Sequence, residues 1–299
     1  MHYKLLVSKY TSVKQLIYSY FVKTLSINTY KEKIIFTKNE INHLYKDRDD
    51  SRVLYISSVV LRLSKSQNRK TMELADAIAS DLLKICDDVF SVQIVPPGWI
   101  HFELTDSTLA TWLQSLIERS LGGAGEAGEP GEDERDEEDK ANNQCAMSDS
   151  LFAVQYAHAR CCSLVLLAHR EGLIKLREPV PNTSPAFWDV ISPNPLPWLN
   201  GDGRLRLNHP NERRLIAELV KVVDNIECAD IKGSVKWEKV ALSLSQAFEN
   251  FWSNCRIWGE VKITSPELTQ ARLGLLMATQ SVLRFVLEES LGIIAPLEL

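Results

Sequence analysis

Several features that often announce a function are missing from this sequence. Its six cysteines form no CxxC pair, and the adjacent Cys161 and Cys162 point to different sides of any helix they occupy. A disulfide framework and a zinc site are therefore not expected, and reduced thiols in a cytosolic setting are. No apolar run reaches the length that spans a bilayer. No Walker or nucleophile-elbow pattern occurs and no Gly-rich phosphate loop follows a strand, so the usual P-loop and hydrolase signatures are absent. His158 and His169 share a helical stripe but stand roughly 16 Å apart along the axis, too far to hold one metal ion. Acid is missing at the start, where Lys4, Lys9, Lys14 and Lys23 precede the first carboxylate, Glu32. That stretch also lacks arginine and continues as an ordinary amphipathic pattern, which argues against a targeting peptide. The expectation is a cytoplasmic protein with no metal, no small-molecule cofactor and no membrane partner.

What is present is an ordinary globular composition interrupted once. A 45% hydrophobic content over 299 residues suffices for two domains, each with its own core. The net charge of -5 misrepresents the folded parts. Nine acidic and two basic residues between Glu126 and Lys140 carry -7, which leaves the rest of the chain at +2. A mildly basic remainder permits a polyanionic partner. The acidic block follows a glycine-rich run, Gly122 to Gly131, that can build neither helix nor sheet. Residues 122–150 read as a disordered acidic linker, separating a small α+β domain at 1–121 from an all-α helical bundle at 151–299.

In the first domain, Val13, Ile17, Tyr20, Phe21 and Leu25 recur at helical spacing over Ser12–Leu25. Residues 34–38 suit a short strand, and the polar stretch 39–50 reads as a loop. Val53–Leu63 fits strand and buried helix equally. Thr71 is the expected cap of a helix carrying Leu74, Ile78, Leu82 and Ile85. Phe90–Val95 and Trp99–Leu104 alternate as strands around the Pro96-Pro97-Gly98 turn. A helix follows to Ser120, capped by Thr105 or Asp106.

In the second domain, Phe152–Ser163 has no breaker and opens a helix. Seven prolines between Pro179 and Pro210 mark irregular structure pinned by Phe187, Trp188 and Trp198. Helices are expected over Asn211–Val223, Trp237–Cys255, and onward from Ser265-Pro266, with Ser as cap and Pro in the first turn. Gly292 marks the stop.

Several of these stretches resemble arginyl-tRNA synthetases. Val154-Gln155-Tyr156-Ala157-His158-Ala159-Arg160 is similar to the entry helix of that family's DALR anticodon-binding domain. Asn211 to Ile216 matches its Glu-x-x-Leu-Ile helix, and Ala247 to Ile257 its Phe-x-x-Phe-Tyr-x-x-Cys-x-Val helix. Ala271 to Pro296 matches its closing helix and Leu-Gly-Ile-x-Ala-Pro tail. In the first domain, Ser57–Leu63, Glu73–Ala79 and Pro97–Leu104 resemble, in order and spacing, the family's amino-terminal domain, with His101 where the family carries Asn. Ala153 stands where the entry motif often carries Tyr. The four letters Leu63-Ser64-Lys65-Ser66 mimic the Lys-Met-Ser-Lys-Ser loop but fall far upstream of where that loop belongs.

The resemblance implies the two tRNA-contacting ends of a synthetase joined directly. The family's catalytic domain would lie between the matched segments, where this chain has only the acidic linker, and no His-Ile-Gly-His type signature occurs. Aminoacylation by this polypeptide is not expected. The resemblance places Tyr156 and Arg160, one turn apart, near an anticodon loop, together with Gln155, Trp252, Arg256 and the terminal Leu299. It places Trp99, His101 and Phe102 of the last strand toward the D-loop corner. An aromatic beside a guanidinium suits an unstacked base and its phosphate. The expected function is non-catalytic tRNA binding, as an adaptor or regulator acting on tRNA(Arg)-like RNA with a tRNA-modifying enzyme or a synthetase as partner. The alternatives are a protein-interaction module that keeps the fold without RNA, and an accessory subunit of a split synthetase.

Overall fold

A computed structural model describes residues 12–28, 44–118, 140–185, 187–228 and 235–299, with residues 25–28, 67 and 140–150 described by their backbone alone. The chain divides into two compact units that interleave in sequence. One gathers Met1–Leu113 and Trp198–Val235, the other Gln114–Pro197 and Lys236–Leu299.

The first unit is α+β. Helix α1 (Val13–Asn28) precedes strands β1 (Leu44–Lys46) and β2 (Leu54–Ser57), helices α2 (Val59–Gln67) and α3 (Thr71–Cys86), strands β3 (Phe90–Val95) and β4 (Trp99–Leu104), and the start of α4 (Asp106–Glu118). The four strands form one antiparallel sheet in the order β1-β2-β4-β3. Val13, Ile17 and Phe21 of α1 and Leu74, Ile78 and Leu82 of α3 are buried, as are Ile100 and Phe102 of the sheet. Each large apolar side chain withdrawn from water contributes about 1.5–3 kcal/mol before conformational entropy is charged against it. Phe102 meets Phe21 and Phe90 edge to face at 5.2 and 6.1 Å. The β3–β4 turn requires Gly98. Its φ is +141°, and a Cβ there would lie 2.4 Å from the Thr71 methyl.

The ambiguous stretch Val53–Leu63 proves to be both things: strand β2, then helix α2, which also absorbs the Leu63–Ser66 letters into regular helix. The loop expected over 39–50 contains β1, whose three residues gain their strand character from pairing with β2 rather than from any alternation of their own. Thr71 is the first residue of α3 rather than its cap, and its hydroxyl donates to Ser64 Oγ instead. Thr105 does cap α4, accepting from the Thr108 N–H at 3.3 Å. The strand expected at 34–38 lies outside the described residues.

The first unit is completed by α6 (Pro210–Glu227), which starts with a capping box. His209 Nδ1 accepts from the Asn211 N–H, and Glu212 accepts from the His209 N–H. Asp224, on the buried face of α6, accepts three hydrogen bonds: from Ser12 Oγ at 2.7 Å, from the Lys14 N–H at 3.1 Å, and from the Tyr55 hydroxyl. Asp224 thus binds the positive end of α1, where a carboxylate is favoured.

The second unit is helical. Helix α5 (Lys140–Arg170) leads, followed by the short pair β5 (Lys175–Leu176) and β6 (Val190–Ser192), then α7 (Trp237–Asn254), α8 (Glu260–Thr264) and α9 (Pro266–Phe285), which passes into a π-turn at Val286–Ser290. Because α5 begins at Lys140, residues 140–150 of the stretch read as linker are helical backbone. No Gly or Pro interrupts the sequence between Lys140 and Gly172, so nothing local prevents the helix from starting ahead of Phe152. The remainder, 122–139, lies outside the described residues. Val154, Ala157, Cys161, Val165 and Ala168 of α5 are buried, as are Leu244, Phe248 and Phe251 of α7 and Leu275, Leu276 and Val282 of α9. Leu151–Arg170 is long and apolar enough to cross a membrane by length and composition, which the sequence reading did not anticipate; half of it is buried, as befits a core helix. Trp188 is buried within the proline-rich segment, as the aromatic anchoring predicted.

Candidate nucleic-acid interface

The exposed stripe of α5 follows from its periodicity. With Val154, Ala157, His158, Cys161 and Val165 committed to the core, Phe152, Tyr156, Arg160, Ser163, Leu167 and Arg170 must point outward along one line. Phe152 is 57% exposed and Tyr156 47%. Two large aromatics and two arginines on one solvent-facing stripe supply stacking surface and positive charge together.

Arg160 does not hang free in solvent. Its guanidinium carbon lies 5.1 Å from the centre of the Trp252 ring on α7, within the range of a cation–π contact. Arg160 and Trp252, named separately as site residues from the sequence, are therefore brought together, with Tyr156 one turn further up the same stripe. Trp252 meets Trp258 edge to face at 5.9 Å. Trp258 is fixed in turn: its indole N–H donates to Glu171 Oε2 at 3.0 Å, and Lys262 Nζ donates to the same oxygen at 2.8 Å. The hydrogen bond and charge of Lys262, helped by Trp258, hold the Glu171 carboxyl below the ordinary glutamate range.

The tail crosses the other side of α5. Gln155 Nε2 donates to the Ile294 carbonyl at 2.8 Å, and His158 Nδ1 lies 2.9 Å from the Pro296 carbonyl. Ala295, between them, is buried. His158 is fully buried, and its Nε2 lies 3.1 Å from Gln280 Nε2 and 3.2 Å from Ser184 Oγ. Burial pushes its pKa down to about 4, against the pull of the Pro296 carbonyl and with help from the Arg284 charge. The neutral ring therefore donates from Nδ1 to Pro296 and accepts at Nε2. Gln155 holds the tail rather than facing outward with Tyr156. Leu299, at the end of this tail, is 64% exposed. Arg256 is exposed beyond the end of α7, and its carbonyl accepts from Arg272 Nη1.

In the first unit, Trp99 and His101 are half-buried on the face of β4 opposite the core. His101 stands in register with Ile56 and Gln93, and Trp99 with Val95. Phe102 is a correction. Strand alternation points it the other way, where it is 0% exposed and packs against Phe21 and Phe90. It serves the core and has no surface to offer RNA.

Sequence reasoning missed Phe152 as an outward residue, although the four-residue step to Tyr156 was a usable signal. It also missed Trp258 and Glu171. Trp258 follows the end of α7, and only the fold brings Glu171, 87 positions earlier, to its indole.

The DALR anticodon binding domain family matches residues 154–299. Over 144 residues the chain is 32% identical to the arginine–tRNA ligase of Synechococcus sp. (strain JA-3-3Ab), covering 48% of this chain and 21% of that protein. It is 31% identical over 147 residues to the arginine–tRNA ligase of Moorella thermoacetica, covering 49% and 22%. It is 30% identical over 131 residues to the chloroplastic/mitochondrial arginine–tRNA ligase of Arabidopsis thaliana, covering 43% and 16%. The chain thus spans about a fifth of the length of the curated relatives it matches. No solved structure matches it significantly. The family match supports a tRNA-binding role at the level of the family. Residues 154–299, just under half of the chain, thus match the DALR anticodon binding domain family, and over about half its length the chain is similar to arginyl-tRNA synthetases.

Proposed function

We propose that this chain is a non-catalytic, cytoplasmic tRNA-binding protein that recognises a tRNA(Arg)-like anticodon loop and acts as an adaptor or regulator, presenting the tRNA to a modifying enzyme or a synthetase. The observation that carries the reading is the outward stripe Phe152–Tyr156–Arg160 with Arg160 held over Trp252. Unstacked loop bases stack on aromatic and guanidinium planes, and the same guanidinium neutralises a phosphate. Arg256 and Leu299, exposed in the same unit, are further candidates for loop contacts. No Walker or His-Ile-Gly-His type signature lies within the 299 residues, which is why catalysis is not part of the proposal.

The test is an electrophoretic shift with total cellular tRNA at two salt concentrations, followed by sequencing of the bound fraction. Enrichment of one isoacceptor group is expected. Arg160→Ala should weaken binding several-fold and flatten the salt dependence by about one phosphate contact. Because Arg160 is exposed, the thermal transition should stay near that of wild type. No retention at low salt rejects RNA binding. It would favour a protein partner on the same stripe, where Phe152, Tyr156 and Leu167 present apolar surface. Retention unaffected by Arg160→Ala rejects this site.

A further inference from the structure

We infer that the open edge of the α+β sheet, strand β3, is where a second copy of this chain pairs antiparallel, joining two sheets into one. The sheet has two edges, β1 and β3. An open edge invites pairing with another chain, and proteins blunt it with short strands, lysines, prolines or bulges. Strand β1 is blunted: it has three residues and ends in Lys46. Strand β3 is not. Phe90–Val95 holds neither lysine nor proline and pairs with β4 residue for residue, without a bulge.

The direction of its free groups follows from one hydrogen bond. The Thr105 N–H donates to the Val89 carbonyl at 3.2 Å. Alternation therefore turns the backbone of Ser91, Gln93 and Val95 toward β4 and that of Phe90, Val92 and Ile94 outward. Among the described residues nothing hydrogen-bonds to these three outward N–H and C=O pairs. A second copy related by a two-fold axis at Val92 sets Val92 against its counterpart and Phe90 against the copy's Ile94. Every outward donor and acceptor is then matched.

The side chains beside this edge agree with that axis. Val92 and Ile94, half-buried, line a groove of about 530 Å³ whose other wall is α3, with Ala79, Ser80 and Leu83. Leu83 is 53% exposed. Residues 87–89 reverse the chain between α3 and β3. Counted from the middle of that turn, Ser80 lies roughly 12 Å along the helix and Val92 roughly 13 Å along the strand. An axis through Val92 therefore passes close to Ser80. Asp76 and Lys84 lie about one turn to either side of Ser80 in the same groove. The axis brings Asp76 of each copy opposite Lys84 of the other. Asp76 has no ion pair among the described residues, and Lys84 meets its near neighbour Asp81 at 2.7 Å; in the dimer it lies between two carboxylates. The edge thus complements itself in hydrogen bonds, apolar surface and charge, which is the requirement of a two-fold interface.

The test is sedimentation velocity of the full chain, free of RNA, over about 1–100 µM, a range suited to a small interface. A monomer–dimer equilibrium is expected. Leu83→Lys and Asp76→Lys, both at exposed positions, should each weaken it roughly fivefold or more, with thermal transitions near that of wild type. The double variant Asp76→Lys/Lys84→Asp inverts both charges and should recover most of the affinity lost in Asp76→Lys. A monomer at every concentration overturns the proposal, and slow amide exchange at Val92 and Ile94 in that monomer would assign the edge to another segment of the same chain. A dimer indifferent to Leu83→Lys in folded protein overturns this face as the interface. Failure of the double variant to recover overturns the two-fold register. These outcomes stand apart from RNA binding, so failure of either reading leaves the other intact.

Discussion

The guanidinium of Arg160 rests over the ring of Trp252, with its central carbon 5.1 Å from the ring centre. This contact joins α5 to α7 at the exposed surface, and it is the inner end of a chain of contacts running from Trp252 to Trp258 and on to Glu171 and Lys262.

That chain predicts a role for Glu171 at a distance. Glu171→Ala removes the acceptor of the Trp258 indole and the counter-charge of Lys262. The expected result is a shift in tryptophan emission and RNA binding weakened about as much as by loss of Trp252. Glu171→Gln keeps an oxygen for the indole and should restore most of the emission. Emission in Glu171→Ala identical to wild type would show that Trp258 is placed by packing alone.

His158 predicts an acid limit to the stability of the helical unit. Its pKa in the fold is about 4, below the usual 6.5. The native state binds this proton less readily than the unfolded chain. The associated stability is fully present above about pH 6.5 and is lost as pH falls toward 4, amounting to about 3 kcal/mol across that window. His158→Gln should make the acid limb of urea stability, followed by circular dichroism between pH 7 and 4, visibly shallower. An unchanged slope would place the acid sensitivity elsewhere.

Asp224 predicts the largest single loss in the α+β unit. Asp224→Ala leaves the Ser12 hydroxyl, the Tyr55 phenol and the Lys14 N–H without their buried acceptor, at a cost of about 2–4 kcal/mol. Asp224→Asn, which keeps one oxygen acceptor, should cost less. Burial, reinforced by the Asp224 charge, raises the Tyr55 pKa well above 10. Its contribution is intact below pH 10 and is lost as the pH climbs toward the raised value. Urea midpoints of the three proteins at pH 7 and at pH 10.5 check both statements, and equal midpoints for Asp224→Ala and wild type would refute the first.

How legible was this molecule in its sequence? Strands β3 and β4 were readable to the residue, because period-two alternation and a Pro-Pro-Gly turn are local signals. The shared face of Tyr156 and Arg160 on α5 was anticipated from motifs, whereas Phe152 beside them and the contact of Arg160 with Trp252 were not. Strand β1 was not, because Leu44, Tyr45 and Lys46 carry no pattern and owe their conformation to β2. The orientation of Phe102 could have been read from alternation alone: Ile100 and Leu104 share its face, and His101 does not. Glu171 lay beyond reach, since only the tertiary fold brings it to Trp258. The grouping of α6 with the α+β unit was equally hidden, because a buried Asp in a helix names no partner.

That grouping has a consequence for how the protein is made. Ser12 and Tyr55 leave the ribosome early, while the carboxylate that ties them together is residue 224. The α+β unit therefore cannot reach its final form during synthesis until the whole excursion Gln114–Pro197 and then α6 have emerged. Closing so long a loop adds only modestly to the entropic cost, because that cost grows logarithmically with length. A fragment ending before Pro210 would hold the sheet and its three helices but leave the amino end of α1 without its anion. For this chain, the place to cut a stable piece is set by spatial neighbours and not by the acidic tract.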